Sequence, residues 1–195
     1  MILKDLKIGF AFTGSYCVFD KVFPQLESLV AEGAEVVPVV SYQVASTDSR
    51  YGMADDFLAS MQKITGRLPI QDMFGAEIIN KNEKPLDLLV IAPATGNTLS
   101  KLAYGASDTP VLMLAKEMFR NNKAVVLGIA TNDGLGISAK TIGTLLSTKN
   151  IYFIPFGQDN YKEKPNSLVA KFDRMLPTLL AALEKEQLQP LLEIF

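Results

Sequence analysis

The feature that most constrains the fold is an apolar run that stops abruptly at small polar residues. Residues 86–91 read Leu-Asp-Leu-Leu-Val-Ile, and residues 92–101 read Ala-Pro-Ala-Thr-Gly-Asn-Thr-Leu-Ser-Lys. A buried strand followed by hydroxyl and amide residues that open a helix is how an α/β sheet builds an anion site. The N–H groups of the first helical turn point outward, and Thr95, Asn97 and Thr98 can add side-chain hydrogen bonds.

Polar loops also follow two other predicted strands. After the strand Lys7–Phe12 come Thr13, Gly14, Ser15 and Tyr16. After the strand at 124–130 come Thr131, Asn132 and Asp133. Because the carboxyl ends of parallel strands meet at one edge of a sheet, we expect the three loops to hold one ligand together. Asp133 would repel a phosphate, so we expect it to cap a helix or face another group.

Each loop also has a purely structural explanation. A hydroxyl near a helix N-terminus is common, so Ser15 fits a helix cap as well as a phosphate contact. Asn-Asp-Gly at 132–134 is an ordinary turn sequence. The loop at 93–98 favours ligand binding over capping, because it gathers three hydrogen-bonding side chains and a glycine within one turn.

The amino-acid composition excludes several kinds of site. The chain has no histidine and a single cysteine, Cys17, which removes the imidazole triads and any structural zinc site. We therefore expect no metal, and no catalytic residue can be assigned. Cys17 is expected to be a small buried residue because no base is available to activate it. The first loop contains neither a dinucleotide fingerprint nor a Walker motif.

The length of the chain indicates one globular domain, residues 1–195. Its charge does not favour binding to a polyanion. The net charge is −2 with scattered lysines, so neither nucleic acid nor a membrane surface is expected to bind. No apolar stretch approaches the roughly 20 residues of a membrane span. A single cysteine fits the reducing cytoplasm.

Strand and helix patterns alternate along the chain. Apolar runs predict strands at Lys7–Phe12, 36–40, 86–92, 124–130 and 151–154. Helical spacing predicts helices at 17–32, 53–64, 97–106, 110–121 and 138–147. This alternation predicts an α/β fold in which one doubly wound parallel sheet has helices on both faces. The final residues, 165–195, are expected to form a helical region.

Two further positions have alternative interpretations. The stretch 41–52 is polar and irregular, and its Arg50 is the one guanidinium expected near the ligand edge. A planar guanidinium suits a carboxylate or phosphate of the substrate, and a solvated surface arginine is the alternative. Phe19 and Phe23 on the first helix are expected in the core, with a neighbouring subunit as the alternative.

The loops resemble those of the flavoprotein family that includes flavin-dependent cysteine decarboxylases and phosphopantothenoylcysteine decarboxylase. That family's phosphate-binding signature reads Pro-Ala-Ser-Ala-Asn-Thr, and residues 93–98 read Pro-Ala-Thr-Gly-Asn-Thr. The family continues with a lysine and an Ala-x-Gly-x-Ala-Asp run, and residues 101–108 read Lys-Leu-Ala-Tyr-Gly-Ala-Ser-Asp. The resemblance implies a Rossmann-like or flavodoxin-like flavoprotein fold and makes FMN a possible cofactor.

The resemblance also implies which residues would hold FMN. In the family, the first loop and the Pro-Ala-x-x-Asn-Thr loop bind the phosphate, and loops after the second and later strands line the flavin ring. The implied set is Thr13, Gly14, Ser15, Tyr16, Ser41, Pro93, Ala94, Thr95, Gly96, Asn97, Thr98, Lys101, Thr131 and Asn132.

Nearly the whole chain resembles the members of one branch of the family. The stretches at 32–40, 127–133 and 164–171 carry this narrower resemblance, the last reading Lys-Pro-Asn-Ser-Leu-Val-Ala-Lys. It implies one component of an oxidoreductase that makes an aromatic dicarboxylate during sporulation, in the mother-cell cytoplasm. The second component of that enzyme, called the A subunit, would bind NAD(P). Relatives in the wider family form trimers or multiples of them, which implies that this chain also associates with itself. The alternative is a non-catalytic flavodoxin-like scaffold that stabilises or activates the A subunit.

The chain departs from the decarboxylases at their active-site residues. Those enzymes use a histidine, and this chain has none. Their Pro-Ala-Met-Asn-x-x-Met-Trp substrate motif falls at 130–136, where only Asn132 matches, and their cysteine on a late flap is missing. Decarboxylation by that mechanism is not expected, and any proton transfer must use Asp, Glu, Lys, Tyr or water.

Overall fold

Seven strands form one sheet in a computed structural model that describes residues 2–82 and 84–194. Met1 and Phe195, the bounds of the predicted domain, lie outside the described residues. The strands are β1 Lys7–Phe12, β2 Glu35–Val40, β3 Leu88–Ala94, β4 Ala124–Thr131, β5 Ile151–Phe153, β6 Phe156–Gly157 and β7 Leu168–Ala170. The helices are α1 Phe19–Ala31, α2 Tyr42–Ser46, α3 Ala54–Thr65, α4 Met73–Asn82, α5 Gly96–Ala103, α6 Pro110–Arg120, α7 Ala139–Leu146 and α8 Met175–Leu183.

The first five strands are parallel and lie in the order β2-β1-β3-β4-β5. This is the flavodoxin-like doubly wound order, in which the direction of winding reverses between β1 and β3. The predicted fold class is confirmed. Ligands of such sheets bind outside the carboxyl ends of the strands at that reversal, so the topology places the loops after β1 and β3 at the expected ligand edge.

The central strands are apolar throughout because helices cover both faces of the sheet. Every residue of β1 and of β3 is buried. Phe10 and Phe12 of β1 pack in the core on one face with α1 and α8, whereas Ala11 packs on the other face with α6. Strand side chains alternate between faces, so a strand buried on both sides reads as one continuous apolar run.

The C-terminal region differs from the helical region predicted over 165–195. Leu168–Ala170 form β7, which pairs antiparallel with Ala130 and Thr131 of β4, and the α-helix is confined to Met175–Leu183. The physical reason is that β5 pairs with β4 only at its start, from Val125 to Leu127, which leaves the end of β4 free for another strand. Antiparallel pairing of β6 with β7 then extends this part of the sheet.

The segment before and within β7 also contacts the turn that follows β4. The N–H of Leu135 donates to the carbonyl of Asn166 at 3.0 Å. Leu168 packs so closely on Gly134 that a Cβ there would come within 2.8 Å of its side chain. The turn after β4 is therefore held in place by the C-terminal segment.

Smaller differences concern short elements. The stretch 41–52 contains the helix α2, and Ile78 and Ile79, whose sequence fits a strand as well as a helix end, belong to α4. None of the helices in the ranges 2–82 and 84–194 has the length and apolar character that a membrane span requires.

Candidate functional site

Hydrogen bonds join the three polar loops at the carboxyl edge of the sheet. The buried Thr13 hydroxyl donates to the carbonyl of Pro93 at 2.6 Å and accepts from the N–H of Thr95 at 3.0 Å. The Ser15 hydroxyl donates to the carbonyl of Ala130 at 2.8 Å. The expectation that the loops after β1, β3 and β4 lie together at one edge is confirmed.

The helix α5 begins at this edge and presents free backbone donors. Thr95 is its N-cap, with a hydroxyl that accepts from the N–H of Thr98 at 3.2 Å. The N–H groups of Gly96 and Asn97, at the first two helical positions, have no acceptor within the helix. The positive end of the helix dipole adds to them, so this end of α5 suits an anion.

One side of the α5 N-terminus borders a small cleft of about 330 Å³. Its lining includes Thr13, Gly14, Ser41, Thr98 and Lys101, all from the implied cofactor-binding set. The Thr13 hydroxyl already donates to Pro93, but the hydroxyls of Ser41 and Thr98 and the Lys101 ammonium offer hydrogen-bond donors and a positive charge to a ligand.

The Lys101 ammonium in the small cleft already has one carboxylate partner. It lies 2.6 Å from Asp108, and this hydrogen bond lowers the pKa of the Asp108 carboxyl below its ordinary value. Asp108 is exposed to solvent, so water screens the pair. Lys101 therefore retains donors that can turn towards an anion in the cleft.

The other side of the α5 N-terminus borders a large cleft of about 690 Å³, which reaches the start of α7. Thr95 and Asn97 line both clefts, so the two adjoin at this point. The side chains of Asn97 and Asn132 are exposed and have no hydrogen-bond partner among the residues that the structure describes. Both amides are free to bind a ligand.

A carboxylate held by two hydroxyls forms the floor of the large cleft. Thr131 donates to Asp133 Oδ1 at 2.5 Å and Ser138 donates to the same oxygen at 2.8 Å. The hydrogen bond from Thr131 is the main reason that the pKa of Asp133 lies below its ordinary value, and that from Ser138 adds to it. Asp133 is therefore ionised at neutral pH, and it faces other groups as expected.

This carboxylate cluster packs against the start of α5. A Cβ placed on Gly96 would lie 2.8 Å from Thr131 Oγ1 and 3.1 Å from Ser138 Oγ. Only a residue without a side chain fits between the cluster and the helix, so Gly96 sets the distance between the α5 N-terminus and the floor of the large cleft.

Several predicted site residues lie elsewhere. The Tyr16 hydroxyl donates to the carbonyls of Gln43 and Thr47, and burial together with the nearby Asp48 charge raises the pKa of Tyr16. Tyr16 lines neither cleft. Pro93 and Ala94 are buried in β3 and contribute backbone only.

Arg50 and Cys17 also differ from expectation. Arg50 is exposed, donates to the Tyr51 hydroxyl at 2.8 Å and lines neither cleft, so the geometry lends its substrate role no support. Cys17 is exposed rather than buried, because it lies in the short 3₁₀ turn that precedes α1.

Some lining residues were absent from the predicted set. Gln43 lines the small cleft, and Ser138 and Tyr104 line the large one. The sequence signal for Ser138 is its position at the start of the helix predicted at 138–147, after β4. Across the described ranges, no group of three or more cysteine and acidic residues is placed to hold a metal ion.

A profile of the flavoprotein family matches residues 2–158 of the chain. The chain belongs to the flavoprotein family. Within that family it is 51% identical over 190 residues to the B subunit of dipicolinate synthase from Bacillus subtilis, a match that covers 97% of this chain and 94% of the relative. The narrower resemblance in the sequence is to this B subunit, and it is confirmed.

Solved structures agree with this assignment of the flavoprotein. The crystal structure of the B subunit of dipicolinate synthase from Bacillus halodurans aligns with a TM-score of 0.90 at 46% identity, covering 100% of this chain and 99% of that one. Burkholderia xenovorans DmrB in complex with FMN, a cubic protein cage for redox transfer, aligns with a TM-score of 0.68 at 18% identity over 92% of this chain and 96% of that chain. The latter likeness concerns the fold alone.

Proposed function

We propose that this flavoprotein is the B subunit of a dipicolinate synthase. Together with a nicotinamide-binding A subunit, it would convert a hydroxy-tetrahydrodipicolinate to dipicolinate, by loss of water and a two-electron oxidation. The observation that carries the proposal is the 51% identity to the Bacillus subtilis protein along almost the whole chain. By the resemblance, the proposal places this activity in the mother-cell cytoplasm during sporulation.

The small cleft fits the phosphate of FMN. Ser41 and Thr98 supply hydroxyls, α5 supplies two free N–H groups, and Lys101 supplies a charge, while Thr13 holds the loop through its bond to Pro93. Adding any side chain at Gly14 would bring its Cβ to 3.2 Å from the Gln43 side chain, so the glycine keeps this cleft open. The same donors suit a carboxylate, so a dicarboxylate substrate competes for the same place.

The large cleft fits the uncharged part of FMN better than a second anion. Its floor carries the ionised Asp133, and the Thr131 and Ser138 hydroxyls already donate to that carboxylate. These oxygens therefore offer lone pairs to a ligand that donates hydrogen bonds. Both clefts lie within the size range of small-molecule sites, about 300–1,000 Å³. Bound FMN supplies two-electron redox chemistry.

The chain's own residues would orient the substrate and manage its charge. Asn97 and Asn132 flank the large cleft with free amides, and Lys140 at its mouth is a cation without a carboxylate partner in the described part of the chain. With no histidine in the chain, Asp133 is the carboxylate that lines the large cleft, and its lowered pKa makes it a hydrogen-bond acceptor for the ligand rather than a strong base.

The proposal also states which proteins this chain assembles with. NAD(P) would bind the A subunit rather than this chain, and this chain would also associate with itself, as a trimer or a multiple of one. The Bacillus subtilis relative is named as one of the subunits of its enzyme, which supports a hetero-partner. The cubic cage of DmrB supports self-association within the fold.

The experiment is an activity assay of the A and B proteins separately and mixed, with and without added FMN. We expect dipicolinate only from the mixture, and a yellow B protein with a flavin absorbance band. A colourless B protein that takes up no FMN, yet is needed for activity, would support the substrate-pocket or scaffold role. An A protein that is fully active without B would contradict the proposal.

A further inference from the structure

An aromatic groove lies between α1 and α3, apart from both clefts. Its volume is about 680 Å³, and its floor is formed by Tyr16, Phe19, Phe23 and Phe57. The Phe57 ring lies 5.8 Å from the Tyr16 ring, 4.9 Å from Phe19 and 6.3 Å from Phe23, measured between centroids. Phe19 is buried, whereas the other three are only half-buried, so the groove exposes aromatic surface.

Carboxylates line the rim of the aromatic groove. Asp20, Glu27 and Asp56 are exposed, and their carboxylates have no ion pair or hydrogen bond with any other residue in the described ranges. No lysine or arginine lines this groove among those residues. A monomer in which three carboxylates surround exposed aromatic rings is complementary to a surface that is both apolar and basic.

The groove is long enough for a helix. Beyond Glu27 it continues into a second depression of about 460 Å³ over Val30, Ala31 and Ile64, where Lys63 adds a positive charge at the far end. The α1 residues along it recur at intervals of three to four, which is one face of a helix that is 13 residues, or about 20 Å, long. An amphipathic helix that lies in such a groove uses its apolar face for contact and its flanking charges for orientation.

The groove also adjoins the loop that closes the candidate site. Ser15 contacts the carbonyl of Ala130 beside the large cleft, and the next residue, Tyr16, forms the floor of the groove. The Tyr16 hydroxyl contacts α2 through the carbonyl of Gln43, a residue that lines the small cleft. A protein seated in the groove would therefore contact the loop after β1, which also lines both clefts.

We propose that the aromatic groove is the docking surface for a basic, apolar-faced helix of the nicotinamide-binding A subunit. This inference rests on the proposed function, because the occupant is the partner that function requires. The rim carboxylates steer the basic helix to the groove, and the aromatic floor holds it there.

The first test uses Cys17, which lines the groove and is the chain's single cysteine. The rate at which a fluorescent maleimide alkylates this flavoprotein is measured with and without the A subunit. We expect the complex to react roughly tenfold or more slowly, because the docked helix covers the thiol. Equal rates in the free and bound flavoprotein would overturn the proposal. Protection that depends on the concentration of the flavoprotein alone would overturn it too, since that outcome assigns the groove to a second copy.

The second test reverses the charge of the rim with the double variant Asp20→Lys and Asp56→Lys. Its affinity for the A subunit should fall by about tenfold or more, mainly in the association rate, and the dependence of affinity on salt should weaken. The matched control, Glu184→Lys with Glu186→Lys, makes the same charge change at exposed positions after α8 and should bind normally.

The outcomes separate this inference from the proposed function. If the wild-type flavoprotein binds the A subunit and activates it while the rim variant binds equally well, the groove assignment is wrong and the function stands. If the wild type neither binds the A subunit nor activates it, both fail. A rim variant that loses binding while circular dichroism and FMN uptake stay unchanged supports the groove.

Discussion

The small cleft and the large cleft share Thr95 and Asn97 but differ in charge. The small cleft presents hydroxyls and the Lys101 ammonium, whereas the floor of the large cleft carries the ionised Asp133 and two hydroxyls that already donate to it, with the Lys140 ammonium at its mouth. The N-terminus of α5 thus lies between a cleft that suits an anion and a cleft whose floor suits a hydrogen-bond donor. This difference favours a ligand with one charged end and one neutral end, as in FMN, over a ligand that is anionic at both ends.

The largest effect should come from Asn97→Ala, because Asn97 lines both clefts. A hydrogen bond to a charged group typically contributes about 1.5–3 kcal/mol, so affinity for FMN should fall roughly ten- to a hundredfold. Fluorescence titration with FMN and with dipicolinate measures this change. The control Gln62→Ala, an exposed position in α3, should bind both ligands like the wild type. Unchanged affinity of Asn97→Ala for both would show that this loop only caps a helix.

Gly96→Ala should come next, because its Cβ would collide with Thr131 Oγ1 at the boundary of the two clefts. Overpacking of this kind typically costs about 1–3 kcal/mol, which we expect as a lower free energy of unfolding together with weaker FMN binding. Denaturant titration and FMN titration measure the two effects. Gly143→Ala in α7 is the matched control, since nothing lies within 4 Å of the added Cβ, and it should stabilise the fold by about 0.5–1 kcal/mol. A Gly96→Ala protein with wild-type stability and affinity would contradict the close packing.

Asp133→Asn tests the charge of the large cleft directly. At 4 Å in water, two like charges repel by about 1 kcal/mol. If a carboxylate of the dianionic substrate enters the large cleft, the variant should bind dipicolinate roughly fivefold more tightly. We expect no such gain, because the anion belongs in the small cleft. A gain in affinity for dipicolinate would place an anion beside Asp133 and contradict the assignment of the anion to the small cleft.

The same variant should alter the pH dependence of stability. The folded-state pKa of Asp133 is lowered, chiefly by the hydrogen bond from Thr131, so its contribution to stability is present above its unfolded pKa and is lost as pH falls through the lowered folded value. Asp133→Asn should therefore reduce the loss of unfolding free energy below about pH 4. Urea titrations at a series of acidic pH values measure it, and identical slopes for the variant and the wild type would argue against this linkage.

The smallest effects should come from the Lys101–Asp108 pair. Because the pair is exposed and screened, Lys101→Ala should weaken FMN binding by only about two- to fivefold. Asp108→Ala releases the ammonium and should leave binding unchanged or slightly tighter. The opposite order, with Asp108→Ala the weaker binder, would show that the ammonium does not face the phosphate.

The sheet could be predicted from the sequence because its strands are buried on both faces. β1 has the predicted bounds Lys7–Phe12, and β2 to β5 lie within about two residues of theirs. β7 was missed because three apolar residues carry no periodicity, and their strand form depends on the free end of β4, which the local sequence does not encode.

The position of the site could be predicted, but its internal contacts could not. Each of Thr13, Thr95 and Thr131 follows a predicted parallel strand, which places all three at one edge of the sheet regardless of how their side chains are oriented. The sequence does not show that the Tyr16 hydroxyl turns away to α2, that Arg50 lies over Tyr51, or that Asp133 receives two hydroxyls. The Tyr16 contact joins residues far apart in the chain, whereas the contacts of Arg50 and Asp133 depend on side-chain rotamers that a sequence pattern does not specify. Ligand binding by the predicted residues stays a prediction.

The strand β7 has a consequence for how such chains diversify. The family profile ends at residue 158, so the shared core contains every residue of the implied cofactor-binding set. The segment that supports the turn after β4, through Asn166 and Leu168, lies beyond that core. Changes in this segment can reshape the floor of the large cleft while the loops that we propose to bind phosphate remain untouched. The same loops after β1 and β3 can in this way be combined with large clefts of different shape, which suit different substrates.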